Sequence, residues 1–176
     1  MHHFPTRQAL LVATVEYAYN KLRDYRVHQL NTFKPGLARY RALIDLAWET
    51  AQTPEGMAVN EVRSGSRSDP EIAMAVTSIM TQVADDYARM VGRHVREAGL
   101  TPSVEIQGLT ATTAMSVRSL AINCFTYPRS SIVNSVLATL KEARENIIAR
   151  QLGESARLKP ARPEAKRAPS RPARKT

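Results

Sequence analysis

The chain has 176 residues, 43% of them apolar and 6% aromatic, enough for one cored domain with tails. It contains no apolar run of the roughly eighteen residues a membrane helix needs, and no apolar stretch behind a basic start to suggest a signal peptide. The formal net charge of +9 sits at one end: residues 157–176 carry eight Lys/Arg against Glu164, while the other 156 residues balance 17 basic groups against 15 acidic ones.

Glycine is scarce, proline falls at element boundaries or in the tail, and β-branched residues do not alternate, which predicts an all-α domain. A first helix starts after the capping residue Thr6. Its stripe comprises Leu10, Leu11, Val15, Ala18 or Tyr19, Leu22 and Tyr25, and it runs to about Leu30. Asn31–Gly36 breaks it. A second helix spans about 36–52, with Leu37, Tyr40, Ile44, Trp48 and Ala51 on one face, and Thr53-Pro54 ends it and opens a short third helix to about Val62.

Ser68-Asp69-Pro70-Glu71 is the strongest helix start: a capping side chain, a proline at the first position and an acid in the first turn. The fourth helix should continue to about Ala98 with Ile72, Val76, Ile79, Val83, Met90 and Val91 inward, and stop at Gly99. A fifth spans about 103–125 and a sixth about 130–152, ended by Gly153. Leu109, Thr113, Ser116, Leu120 and Cys124 form one stripe of the fifth helix, whereas Ile106, Met115 and Ile122 point elsewhere. Ile132, Val133, Val136, Leu137, Leu140 and Ile147 give the sixth a broad apolar face. Two adjacent helices with that much apolar surface suit either a core or a subunit interface.

The opening run His3-Phe-Pro-Thr-Arg7, followed by an apolar helix, resembles the junction in TetR/AcrR-like bacterial regulators where the DNA-reading helix ends and the next begins. The succession of helix lengths, the segment 37–49 and Ser68-Asp-Pro-Glu-Ile72 are similar to the sensor part of that family, so the resemblance covers roughly residues 2–152. It implies a six-helix sensor and dimerisation domain at residues 6–153, with residues 1–5 a remnant of the reading helix, here His2 and His3. Residues 154–176 have no counterpart in it and read from composition as a disordered basic tail, a Pro/Ala/Arg/Lys segment unable to bury enough apolar surface to order itself. The resemblance also implies a homodimer through the last two helices, with Leu109, Leu120, Ile132, Val136, Leu140 and Ile147 at the interface. A small apolar or aromatic effector would sit among Trp48, Met57, Met80, Tyr87, Met115, Arg118 and Ile122, with Arg118 as polar anchor. Met1 stands where the family usually has Tyr, and the helices that would read bases are expected to be missing. Operator binding is therefore expected only with an N-terminal extension.

Other chemistry is sparse. His2 and His3 are neighbours that diverge on a helix, so no metal site is expected, and His28 and His94 are isolated and expected in solvent. Asp85-Asp86 reads as a solvated face with Arg89 as partner. No phosphate loop, nucleophile elbow or His-Glu-x-x-His run occurs, so neither catalysis nor a cofactor is expected. The lone Cys124 suits a reduced, cytoplasmic protein. Two alternatives to a transcriptional repressor stay open at this level. One is a stand-alone dimerisation module that antagonises a longer relative as a mixed dimer. The other is a non-specific nucleic-acid binder acting through the basic tail, with affinity falling steeply with salt.

Overall fold

The structure is a computed structural model. It describes residues 4–126 and 130–158, with side chains placed except at 125–126, 130 and 154–158. These residues form six α-helices and no strand: α1 (Arg7–Asn31), α2 (Leu37–Ala51), α3 (Pro54–Gly65), α4 (Pro70–Glu97), α5 (Val104–Thr126) and α6 (Ser130–Leu158). None is long and apolar enough to cross a membrane.

The helix starts follow from local chemistry. Thr6 Oγ1 accepts from the amide of Ala9 (3.0 Å), and Thr53 Oγ1 accepts from that of Gly56 (3.1 Å). Asp69 Oδ1 accepts from the amides of Glu71 and Ile72 (3.1 Å each), with Pro70 behind it. Each side chain satisfies amides that a first helical turn leaves unpaired. α4 ends at Gly99, whose φ of +73° suits a residue without a Cβ. There the Leu100 amide donates to the Val95 carbonyl and the Gly99 amide to that of Arg96 (3.1 and 3.0 Å), while Leu100 and Val95 join one core cluster.

Gly153 does not end the last helix. α6 continues through it to Leu158, so the first residues assigned to the tail are helical. A single glycine lowers helix propensity by about 1 kcal/mol, too little to stop a helix whose preceding turns are anchored by Ile147, Ile148 and Leu152. The rest of the basic tail lies outside the described residues.

α2 is the hub and packs on all five other helices. It therefore buries more than the single stripe expected from its spacing. Leu43 and Leu46 enter a central cluster with Leu30, Val91, Val95 and Ile147, while Ile44 enters a second with Val117, Val133, Leu137 and Leu140. Thr50, buried among them, satisfies its hydroxyl on the Leu46 carbonyl (2.8 Å). A third cluster, Val15, Val62, Ile72 and Val76, joins α1, α3 and α4 at the far end. The approach of α3 to α2 depends on Gly56, where a Cβ would lie 2.1 Å from the Thr50 carbonyl oxygen. On α1, Val15, Ala18, Tyr19 and Leu22 are buried as spaced, but Leu10 and Tyr25 face solvent.

Polar groups tie the helices at the seams. Tyr19 Oη donates to Asp86 Oδ2 (2.6 Å), and Asp86 is also paired with Arg89. Arg41 grips Glu145 with Nε and Nη2 (3.0 and 2.7 Å), and buried Arg144 joins the same carboxylate (3.2 Å) and donates to the Arg41 carbonyl. Gln151 exchanges two hydrogen bonds with the backbone of Thr101 (2.9 and 3.1 Å), fastening the α4–α5 connection to α6. His94, expected in solvent, is buried, with Nδ1 2.9 Å from Glu97 Oε2, because the α4 face that carries it turns into the core beside Val95.

Candidate ligand groove

α4 packs on α1 and α2, and α5 packs on α2 and α6, but these two consecutive helices do not pack extensively on each other. Between them lies a groove of about 640 Å³, within the roughly 300–1,000 Å³ usual for small-molecule sites. Side-chain size explains it. On α4 two rows at four-residue steps line the space: Val83, Tyr87, Val91 and Val95 on the core side, and Ala84, Ala88 and Gly92 beside them, ending at Arg96. On α5 the lining residues include Ile106, Thr110, Ala111, Ala114 and Val117. The small residues stop short of each other, so two long helices flank an opening rather than a seam. Leu22 of α1, Ala47, Thr50 and Ala51 of α2, and Gly56, Val59 and Asn60 of α3 close the remaining sides. The part of α4 that lines it, Val83 to Arg96, rises about 20 Å, so the groove is elongated.

Four arginines reach it from four helices: Arg26 (α1), Arg63 (α3), Arg96 (α4) and Arg118 (α5). Among the described residues no carboxylate lines the groove, and none of the four forms a salt bridge. Arg26 lies over the Tyr87 ring, 5.7 Å from its centroid, and its Nε is shut away from solvent with no hydrogen-bond partner. Arg63 Nε is in the same condition, and its Nη2 meets only the soft acceptor Met80 Sδ at 3.3 Å. Burial pushes Arg26, Arg63 and Arg118 below the ordinary guanidinium value. The charge of Arg118 lowers Arg63 further, and that of Arg67 lowers Arg118. All stay cationic at neutral pH. Burial also raises the Tyr87 phenol, partly offset by Arg26. The groove is thus apolar along its walls and positive in potential, with hydrogen-bond donors that no protein group uses.

Of the residues assigned to an effector from the sequence, Tyr87 and Arg118 line this groove. Trp48 turns instead toward the cluster formed by α2, α5 and α6, and it is the neighbouring Ala47 that faces the groove. Met80 packs with Val15, Ile72 and Val76, and touches the groove only through Arg63. Met57, Met115 and Ile122 are exposed away from it. Arg26, Arg63 and Arg96 were not expected. A signal for the groove was present, however: the row Ala84-Ala88-Gly92 on a helix otherwise rich in large apolar residues.

Among the interface candidates, Leu140 and Ile147 are buried in the chain's own core, and Leu109, Leu120 and Val136 are partly buried against it. Ile132 is exposed. His2 and His3 lie outside the described residues. No family model, curated protein or solved structure matches this chain.

Proposed function

We propose that this chain is the ligand-sensing and dimerisation part of a TetR-type transcriptional regulator, acting in the cytoplasm as a homodimer. The observation that carries this is the groove between α4 and α5. Protein interiors are close-packed with few voids, and here the small residues Ala84, Ala88 and Gly92 of α4 and Ala111 and Ala114 of α5 leave an opening. The groove is connected to the end of the molecule that bears the His3-Phe-Pro-Thr-Arg7 resemblance. Leu22 and Arg26 of α1 line it, and α1 packs on α3 and α4 along its length. A ligand favouring one spacing of α1 against α4 would shift the population of that spacing, and α1 would carry the change to its own start. The groove is assigned binding, not catalysis, and the six helices are assigned none of the base reading.

Dimerisation through α5 and α6 is supported by their outer faces. The only charged residues of α5 are Glu105 and Arg118, and Arg118 turns into the groove. Its exposed side presents Gly108, Thr112, Met115, Ser119 and Ile122, with Ile132 exposed on α6. A solvated helix of 23 residues normally carries more charge, and interface cores are depleted of it. The test is sedimentation of the wild type and of Met115→Glu/Ile132→Glu. Both positions are exposed, so the substitutions leave the core intact. A wild-type dimer that the double variant splits is expected; a wild type that stays monomeric at micromolar concentration overturns the dimer assignment.

A further inference from the structure

Everything charged in the groove has one sign. Elsewhere among the described residues six arginines pair with a carboxylate, and Arg144, the most buried of them, has both Glu145 and the Arg41 carbonyl. In the groove no guanidinium meets a carboxylate: Arg26 has the Tyr87 ring, Arg63 Nη2 has Met80 Sδ, and the Nε–H donors of both are buried with no partner. A donor or charge buried without a partner is unfavourable by an amount that a counter-ion removes.

The four arginines are not equivalent. Arg26 is occupied by the Tyr87 ring, and Arg96 is exposed at the opposite end of the lining stretch of α4. Arg63 and Arg118 reach the space from α3 and α5 within range of each other's field, and Arg67 adds a third positive charge beside Arg118. Arg63 and Arg118 both line the groove, Arg63 with a buried Nε that has no partner, and a guanidinium fork matches the paired oxygens of a carboxylate or phosphate. Away from the two arginines the walls are mostly apolar, with Val83, Ala84, Ala88, Val91 and Gly92 along α4 and neutral polar side chains such as Thr110 among them.

We propose that the groove binds an amphiphilic organic anion, an apolar chain or ring system bearing a carboxylate or phosphate, with its head between Arg63 and Arg118 and its body along Ala84, Ala88 and Gly92. This rests on the ligand-sensing assignment above and adds the charge and orientation of the ligand. Selectivity follows from desolvation. A neutral apolar molecule would strip water from Arg63 and Arg118 and return nothing, and a cation would add repulsion.

Calorimetric titration of the full chain with decanoate, decyl phosphate, decanol and decyltrimethylammonium, each below its self-association concentration, tests this. Both anions should bind at least tenfold tighter than decanol, and the cation should not bind. Arg63→Met/Arg118→Met should weaken decanoate at least tenfold while leaving decanol unchanged or tighter. Arg118→Gln alone, at a half-buried position, should show the same direction and serves if the double variant does not fold. Gly92→Leu narrows the groove on the path assigned to the apolar body without altering charge. A Cβ at Gly92 meets only the end of the Arg96 side chain, at 3.6 Å, so the variant should fold. It should abolish anion binding, which separates the groove from simple attraction to a chain of net charge +9. Equal affinity for decanol and decanoate, or undiminished decanoate binding by the arginine variants, overturns the anionic assignment and leaves the ligand-sensing one standing. Absence of binding by every probe, or binding indifferent to Gly92→Leu, removes both.

Discussion

Arg144 and Arg63 are the same residue in two different settings. Arg144 lies where α6 crosses α2, almost fully buried, and its guanidinium is held by the Glu145 carboxylate and the Arg41 carbonyl. Arg63 lies at the groove, with one nitrogen on a methionine sulfur and its Nε on nothing. Burial alone does not say what an arginine is for; the accounting of its donors does. A guanidinium whose donors are met by the protein holds helices together, whereas Arg63 keeps an unmet donor beside a groove that no carboxylate among the described residues lines, the feature from which the anionic-ligand proposal starts.

The largest effect expected from this contrast is at the satisfied site. Arg144→Met removes a charge-assisted hydrogen bond from α6 to the α2 backbone and another to Glu145 on its own helix, and should destabilise the domain by about 2–3 kcal/mol. Urea denaturation followed by far-UV circular dichroism measures it. An unchanged midpoint would show that the α2–α6 arginine is as dispensable as its groove counterpart and would dissolve the comparison.

The opposite sign is expected at the unsatisfied site. Arg63→Met replaces an unpaired, partly buried cation with an apolar chain of similar length, and the ligand-free protein should gain stability, by about 1 kcal/mol. The same denaturation experiment applies. Loss of stability comparable to that of Arg144→Met would mean that Arg63 serves the fold, through Met80 or otherwise, and is not held in reserve for a ligand.

The third effect is smaller and concerns the α1–α4 seam, where Tyr19 lies two turns before Arg26. Burial first, and then the hydrogen bond to Asp86 and its negative charge, push the Tyr19 phenol up from its ordinary value to about 12. A folded-state value raised above 10 means that stability from the protonated phenol is intact below pH 10 and is lost as pH rises through about 12. Alkaline denaturation should therefore steepen in that window, and Tyr19→Phe should reduce the slope while lowering stability at neutral pH. Tyr40 and Tyr87, also raised, keep some slope in the variant. An alkaline limb identical in wild type and Tyr19→Phe would show that the α1–α4 seam does not depend on this hydrogen bond.

How much of this was legible in the residues depends on the range of the interaction. Thr6, Thr53-Pro54, Asp69-Pro70 and Gly99 act over three or four residues, so helix starts and the end of α4 could be placed from the string alone. The all-α class and the order of six helices follow from the same local terms together with apolar spacing. Gly153 is the exception that shows the rule: its local preference for a helix end was overridden by packing of the turns before it.

The groove belonged to the other category. Trp48 and Ala47 differ by one position, about 100° around α2, and which of them faces the groove depends on how α2 rotates among five neighbours. Methionine and tryptophan were attractive candidates by size and softness, but Trp48 and Met80 pack into core clusters, Met57 and Met115 face solvent, and much of the lining falls to alanine, glycine and valine. The gathering of Arg26, Arg63, Arg96 and Arg118 from four helices spans 92 sequence positions and has no local period. The sequence by itself determined the helices and their caps, because those are set by each residue's nearest neighbours along the chain. Only the tertiary structure decided which arginines meet a carboxylate and which meet an open groove, because that depends on the rotation and separation of helices far apart in sequence.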